Sequence, residues 1–149
     1  MKQIGVFVDE YRFLSNFWVC AMNVDDPVLG ETVVVPSVEH GYQGDKTVIP
    51  QERRAVLTAD SPRVAKRKGR KVSLRHDWDI IRDDRMRFWL STKFANPALR
   101  EMLLKTGDAN LIHGNWWGDI YWGTCRGTGY NKLGRMLMEC RTNLRSLVR

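Results

Sequence analysis

From Pro36 onward apolar residues recur mainly at three- and four-residue intervals, whereas before it they fall in short, alternating runs. Ile4, Val6 and Val8 alternate with other residues and predict a first strand. Trp18 to Val24 and Thr32 to Val35 are β-prone runs separated by Asp25, Asp26, Pro27 and Gly30. With the first strand they predict a small antiparallel sheet. Ser37 is a good N-cap for a following helix, and its third helical position holds His40 rather than the Glu or Gln of a capping box. Pro50 is placed to begin a helix reaching about Thr58, and Ser61-Pro62 another that stops near Gly69. Residues Asp77 to Phe94 read as one long helix with Trp78, Ile81, Met86, Trp89, Leu90 and Phe94 as its apolar stripe. Asn96-Pro97 ends it, and Ala98 to Leu104 follows as a further helix. Residues 107 to 130 are loop-rich. Leu133, Met136, Leu137, Cys140, Leu144 and Leu147 describe a final amphipathic helix. The pattern predicts a mostly helical α+β fold, one domain over residues 1–149, with a small N-terminal antiparallel β-sheet.

At 149 residues the chain is long enough to bury a sizeable core. No apolar run approaches membrane-spanning length, and no secretory leader is expected at the start. Three widely spaced cysteines, Cys20, Cys125 and Cys140, argue against a disulfide framework and for a cytoplasmic protein. Neither they nor His40, His76 and His113 show metal-ligand spacing, so no metal or other cofactor is expected. The formal net charge is +7, and its placement adds more than its size. Residues 53–87 hold twelve Arg or Lys against five Asp, densest from Arg63 to Lys71. Such a segment attracts anions and is able to track a phosphate backbone, or is a solvated helix end.

The chemistry concentrates in a few segments. Gly114-Asn115-Trp116-Trp117-Gly118-Asp119-Ile120-Tyr121-Trp122-Gly123 combines three indoles, a carboxylate and three glycines, which suits a rigid loop facing a flat polar ligand. Asp119 and Trp122 lie three residues apart in it, the first able to orient a water or ribose hydroxyl, the second to stack on a base. Glu39, Gln43 and Lys46 are spaced one per helical turn and share a face. Asn16 is either an amide contact to ligand or an Asx-turn that shapes its loop. Asn131, after Gly127-Thr128-Gly129-Tyr130, is either a plain N-cap or a ligand contact.

These segments occur in a recognisable order. They are Phe13-Leu14-Ser15-Asn16-Phe17, Ser37-Val38-Glu39-His40 through Lys46, Asp77-Trp78-Asp79-Ile80-Ile81-Arg82 with Met86, Lys93-Phe94, the aromatic loop, and Gly129-Tyr130-Asn131 through Met138. From Phe13 to Arg141 the chain resembles the NADAR family. The resemblance implies hydrolysis of an N-glycosidic bond in an N-ribosyl compound, without a metal. It implies catalytic roles for Glu39, Lys46 and Asp119, and substrate contacts from Asn16, Phe17, Gln43, Trp78, Arg82, Trp117, Trp122, Gly123 and Asn131. Glu39 would move protons at the glycosidic nitrogen or activate water, and an unprotonated Lys46 offers a second route through a Schiff base. One departure stands out. Family members commonly carry a glutamate after the apolar pair before the aromatic loop, and here His113 follows Leu111-Ile112.

Two substrate classes fit: nucleic acid carrying ADP-ribose on guanine, and phosphoribosylamino-pyrimidine intermediates of riboflavin synthesis. The Arg63–Lys71 segment favours the first, with nucleic acid as the partner and no membrane. A reading from another class is a non-catalytic module that binds ADP-ribose or nucleic acid. It would keep Trp78, Trp122 and the glycines but tolerate loss of Glu39.

Overall fold

The computed structural model describes residues 2–147. The fold is α+β and mostly helical. It divides into two compact units, one from residues up to Ser15 together with those from Phe94 onward, the other Asn16–Lys93.

The first unit opens with strand β1 (Gln3–Ile4), described with its partners below. In the Asn16–Lys93 unit, strands β2 (Met22–Asp26) and β3 (Glu31–Val35) form an antiparallel hairpin in the register Met22 to Val35 and Asp26 to Glu31. Asp26 sets the turn: its Oδ1 accepts from Val28 N and Leu29 N at 2.8 and 3.2 Å. Helices α1 (Val38–Gly44), α2 (Pro50–Leu57) and α3 (Pro62–Gly69) follow and pack on one another. Their starts obey the local signals, with Pro50 and Pro62 in the first turn. Ser61 caps α3 by accepting from Val64 N. Ser37 caps α1 by accepting from His40 N, and its hydroxyl lies 2.7 Å from His40 Nδ1. His40 Nε2 is 2.9 Å from Ala59 O, so Nε2 carries the proton and Nδ1 accepts from Ser37. Burial lowers the pKa of this ring, and the histidine is a neutral structural strut.

Helix α4 (Trp78–Phe94) places Trp78, Met86, Trp89, Leu90 and Phe94 in the interior, as its stripe predicts, with Ile81 only partly buried. Burying each of the larger side chains is worth about 1.5–3 kcal/mol relative to exposure. An ion network holds the unit's polar interior. Arg53 of α2 donates from Nε to Asp26 Oδ2 at 2.6 Å and from Nη1 to Asp45 Oδ1 at 3.0 Å. Asp45 Oδ2 accepts from Arg85 Nε at 2.8 Å and Trp89 Nε1 at 2.7 Å.

In the other unit, β1 pairs in parallel with β4 (Asn110–Leu111), and β5 (Gly114–Asn115) with β6 (Thr124–Cys125). Helix α5 (Pro97–Lys105) is capped by Asn96, whose Oδ1 accepts from Ala98 N and Leu99 N. Helix α6 (Lys132–Leu147) packs on α5 and β4. Two features depart from the sequence expectation. The first strand is only two residues long and parallel, with Ile4 and Phe7 buried and Val6 and Val8 about half exposed. Past Ile4 the strand pairing ends, and after Val8 the chain turns into a short 3-10 helix, Asp9–Leu14, with Asp9 at φ 52°. Among the described residues the antiparallel sheet is therefore the β2–β3 hairpin alone. The stripe of α6 also ends early, because Leu147 is exposed. The last fully buried residue of α6 is Arg141, which donates to Thr106 Oγ1 at 2.8 Å and to Ala109 O at 2.9 Å. Among the described residues no helix is long and apolar enough to cross a membrane.

Candidate active site

The predicted site residues fall into two groups, one in each unit. In the Asn16–Lys93 unit, α1 is buried along its whole length, and it carries Glu39 and Gln43 on one face. Gln43 Nε2 donates to Glu39 Oε1 at 2.8 Å, so the two lie one turn apart as their spacing requires. Glu39 is 7% exposed, and its backbone N–H donates to Asn16 O at 3.1 Å. That bond ties the Asn16 segment to the start of α1. Asn16 Nδ2 faces Met86 Sδ at 3.7 Å. Two buried amide oxygens in this group, Asn16 Oδ1 and Gln43 Oε1, have no hydrogen-bond partner among the described residues. Buried polar atoms are rarely left so, and each calls for a physical reason.

Lys46 follows the end of α1 and is partly buried, its Nζ 5.9 Å from the centre of the Tyr42 ring. Burial pushes its amine below the usual lysine range. Glu39 opposes this, and the cations Arg70, Lys66 and Arg82 add to it. The lysine thus sits beside one carboxylate among three positive groups. Phe17 is 40% exposed and has Lys66 Nζ 5.9 Å from its ring centre. Trp78 is buried, its ring centre 5.0 Å from that of Tyr42 at a 59° tilt. Sequence reasoning put Lys66 and Arg70 in a surface patch and did not connect them with Lys46, nor did it single out Tyr42. The available signal was the spacing of Lys66, Gly69 and Arg70, which share one face of α3. Lys66 is partly buried, whereas Arg70, like Arg63, Arg67, Lys68 and Lys71, is exposed.

In the other unit, Asp119 builds the aromatic loop. Its Oδ1 accepts from Tyr121 N at 3.1 Å and Trp122 N at 3.0 Å, and its N–H donates to Asn115 Oδ1 at 2.9 Å. Its Oδ2 lies 4.0 Å from His113 Nε2. One oxygen therefore serves the turn, and the other faces His113. His113 stacks on Phe7 at 5.5 Å and meets the edge of Trp117 at 5.8 Å. Trp117 is half exposed, and Trp122 packs edge-on against Tyr121 at 4.9 Å. Gly123 is buried, and a Cβ there would stand 2.0 Å from His113 O, so only glycine fits. Asn131 does not cap α6 with its side chain. It sits at φ 52°, accepts from His113 N at 2.9 Å and donates to Leu111 O at 3.0 Å, buckling the start of α6 to the strand region. The three cysteines are free and partly buried. Among the described residues no group of three or more His, Cys, Asp or Glu is arranged to hold a metal ion.

The NADAR domain model matches residues 5–145, through both units, and the chain belongs to that family. It is 38% identical over 140 residues to the N-glycosidase YbiA of Escherichia coli, covering 91% of this chain and 83% of that one. It is 34% identical over 145 residues to an N-glycosidase of Nostoc punctiforme, covering 93% and 88%. A riboflavin biosynthesis protein of Vibrio vulnificus is 36% identical over 140 residues, which are 91% of this chain but only 36% of that longer protein. The NMR structure of E. coli YbiA superposes with a TM-score of 0.84 at 35% identity, covering 98% of this chain and 86% of that one.

Proposed function

We propose that the protein is an N-glycosidase of N-ribosyl compounds and that it removes ADP-ribose from guanine bases of nucleic acid. The observation that carries the enzymatic reading is the Lys46 amine, held below its usual pKa beside the buried Glu39. A module that only binds anions has no use for a lysine biased toward its neutral form. An amine that attacks carbon needs that bias. The names of the E. coli and Nostoc relatives, both N-glycosidases, point the same way.

In the reaction, the N-ribosyl amine opens its ribose ring to an imine at C1. Unprotonated Lys46 adds its lone pair to C1, giving a carbon that bears both amines. Glu39, once protonated, returns the proton to the base nitrogen, the C1–N bond to the base breaks, and a lysine Schiff base remains. Water then adds at C1, the sugar leaves, and Lys46 is regenerated as the amine. The surrounding cations Arg70, Lys66 and Arg82 suit a phosphate-bearing substrate, and Asn16 Oδ1 offers an acceptor for a ribose hydroxyl. Asp119, Trp117 and Trp122 form a second candidate group, within their own unit. Arg63, Arg67, Lys68 and Lys71 would follow the nucleic-acid backbone.

A second substrate reading, a phosphoribosylamino-pyrimidine of riboflavin synthesis, is favoured by the name of the Vibrio relative. Incubation with a guanine-ADP-ribosylated oligonucleotide and, separately, with the ribosylamino-pyrimidine phosphate decides between them. Mass analysis should show free ADP-ribose and restored guanine from the first. Turnover of the pyrimidine alone would transfer the assignment to the second. Binding of either without turnover would leave only a binding module.

A further inference from the structure

Gly69 closes α3 inside the basic run Lys66-Arg67-Lys68-Gly69-Arg70-Lys71, where a glycine costs helix stability and no turn with positive φ demands one. The reason is steric. A Cβ built on Gly69 would stand 2.1 Å from Gln43 Oε1, 2.8 Å from its Cδ and 2.9 Å from its Cβ. The tip of the glutamine and its root are both in the way, so a swing of the carboxamide alone does not make room. Gln43 is itself buried. The bare backbone of α3 thus forms the wall against which the Gln43 carboxamide lies.

That wall matters because of what the other end of the carboxamide does. Its Nε2 donates to Glu39 Oε1 at 2.8 Å, while Oε1 lies toward Gly69 with no partner among the described residues. The opposite rotamer would turn Oε1 onto the carboxylate, oxygen against oxygen. An unsatisfied buried acceptor is costly, and the observed orientation accepts that cost to give Glu39 its donor. A donor on a carboxylate favours the charged form and fixes the direction of its free lone pairs.

We propose that Gly69 is a positioning residue of the Glu39 site: its missing side chain lets α3 lie on Gln43 and lock the carboxamide with its N–H toward Glu39. Glu39 is then aimed and kept deprotonated until it receives the proton of the reacting amine. Gln43 accordingly serves the carboxylate rather than the substrate. The proposal rests on the catalytic role given to Glu39 above.

The test compares Gly69→Ala, Gln43→Ala, the double variant, Gln43→Met and Glu39→Gln on whichever of the two substrates turns over. Gln43→Met keeps the volume against Gly69 and removes the donor, so it reports even if Gly69→Ala does not fold. Gly69→Ala and Gln43→Met should each lower kcat by roughly 10- to 100-fold, the scale of a misplaced catalytic group, with KM little changed. The acid limb of the rate profile should move to higher pH in both. The Glu39 carboxyl carbon, followed by NMR without substrate, should titrate at higher pH than in the parent protein. The double variant should be no slower than Gln43→Ala, since both changes break one arrangement. Parent-like kcat and carboxyl titration in Gln43→Met, or multiplicative losses in the double variant, would overturn the proposal. If those appear while Glu39→Gln is inactive, the positioning role falls and the catalytic reading stands. If Glu39→Gln turns over at the parent rate, both fall.

Discussion

Lys93 lies on α4 near its C-terminal end, almost wholly enclosed, and burial pushes its amine down to about 7, with Cys20 opposing. An ordinary lysine in an unfolded chain titrates near 10.5. The difference amounts to roughly 5 kcal/mol against the charged form. Its sign fixes a pH dependence. Below about pH 7 both states hold the proton and the whole penalty is present. Between about 7 and 10.5 the unfolded chain holds a proton that the folded one has released, so stability rises with pH. From about pH 6.5 to about pH 8.5 the lysine alone should add about 2 kcal/mol to the unfolding free energy. For a chain of this size that is a gain of about 4–8 °C in Tm. Lys93→Met removes the titrating group while keeping an unbranched side chain. Urea titrations or thermal melts of both proteins across this window should show the parent gaining stability relative to the variant. The slope is the test, because replacing the lysine also changes packing. The window stops near pH 8.5 because Cys140, pushed up to about 11 by burial, ionises first in the unfolded chain and lowers stability above about pH 9. Lys46 contributes to the rise too, but equally in both proteins. Parallel curves for parent and Lys93→Met would refute the reasoning.

Glu39→Gln should lower turnover by about 100-fold or more and leave ligand binding and Tm nearly unchanged; a parent-like rate would exclude proton transfer by this residue. Borohydride added during turnover should trap a sugar adduct on Lys46, located by peptide mass; no adduct during confirmed turnover would leave Lys46 as a phosphate anchor. Charge reversal at Lys66, Arg67 and Lys68 should flatten the salt dependence of oligonucleotide binding by about 0.7–0.9 log units per decade of salt for each phosphate no longer neutralised; affinity indifferent to both salt and this change would remove the nucleic-acid reading. Arg53→Met leaves the carboxylates of Asp26 and Asp45 buried without their shared cation and should cost about 3–5 kcal/mol in urea unfolding; a cost below about 1 kcal/mol would mean that Arg85 and Trp89 alone satisfy Asp45.

The helices were legible because their ends are written locally. Pro50, Ser61-Pro62 and Asn96-Pro97 each start a helix where the residue type satisfies or removes an orphan N–H. The first strand was not legible, because its partner lies over a hundred residues away, Gln3 beside Asn110, and two residues of parallel pairing leave no periodicity. Glu39 and Gln43 met as their spacing requires, since both lie within one helix. The neighbours of Lys46 did not show, since Lys66, Arg70 and Arg82 come from α3, its end and α4. Asp119 and Asn131 illustrate a different limit. Sequence offered Asp119 only a ligand role and Asn131 a ligand or cap role, and the structure shows backbone hydrogen bonds on both side chains. For Asn131 they run to His113 and Leu111 rather than to its own helix, which no helix-start pattern encodes.

Asp45 resolves an apparent conflict at the site. A lysine next to an aspartate in sequence would ordinarily keep its proton more tightly. Here both carboxylate oxygens of Asp45 are taken, Oδ1 by Arg53 and Oδ2 by Arg85 and Trp89. Its charge is spent on the interior of the unit, and it does not figure among the groups that act on Lys46. Burial acts most on Lys46, and among the described residues Glu39 is the anion set against it and against three cations. The network around Arg53 therefore does more than hold α2 to the hairpin. By compensating the charge of Asp45 it leaves the Lys46 amine to burial first and then to Glu39, the group proposed to exchange protons during the reaction. Protonation of Glu39 would weaken the hold on the Lys46 proton, so the acid and the nucleophile are coupled.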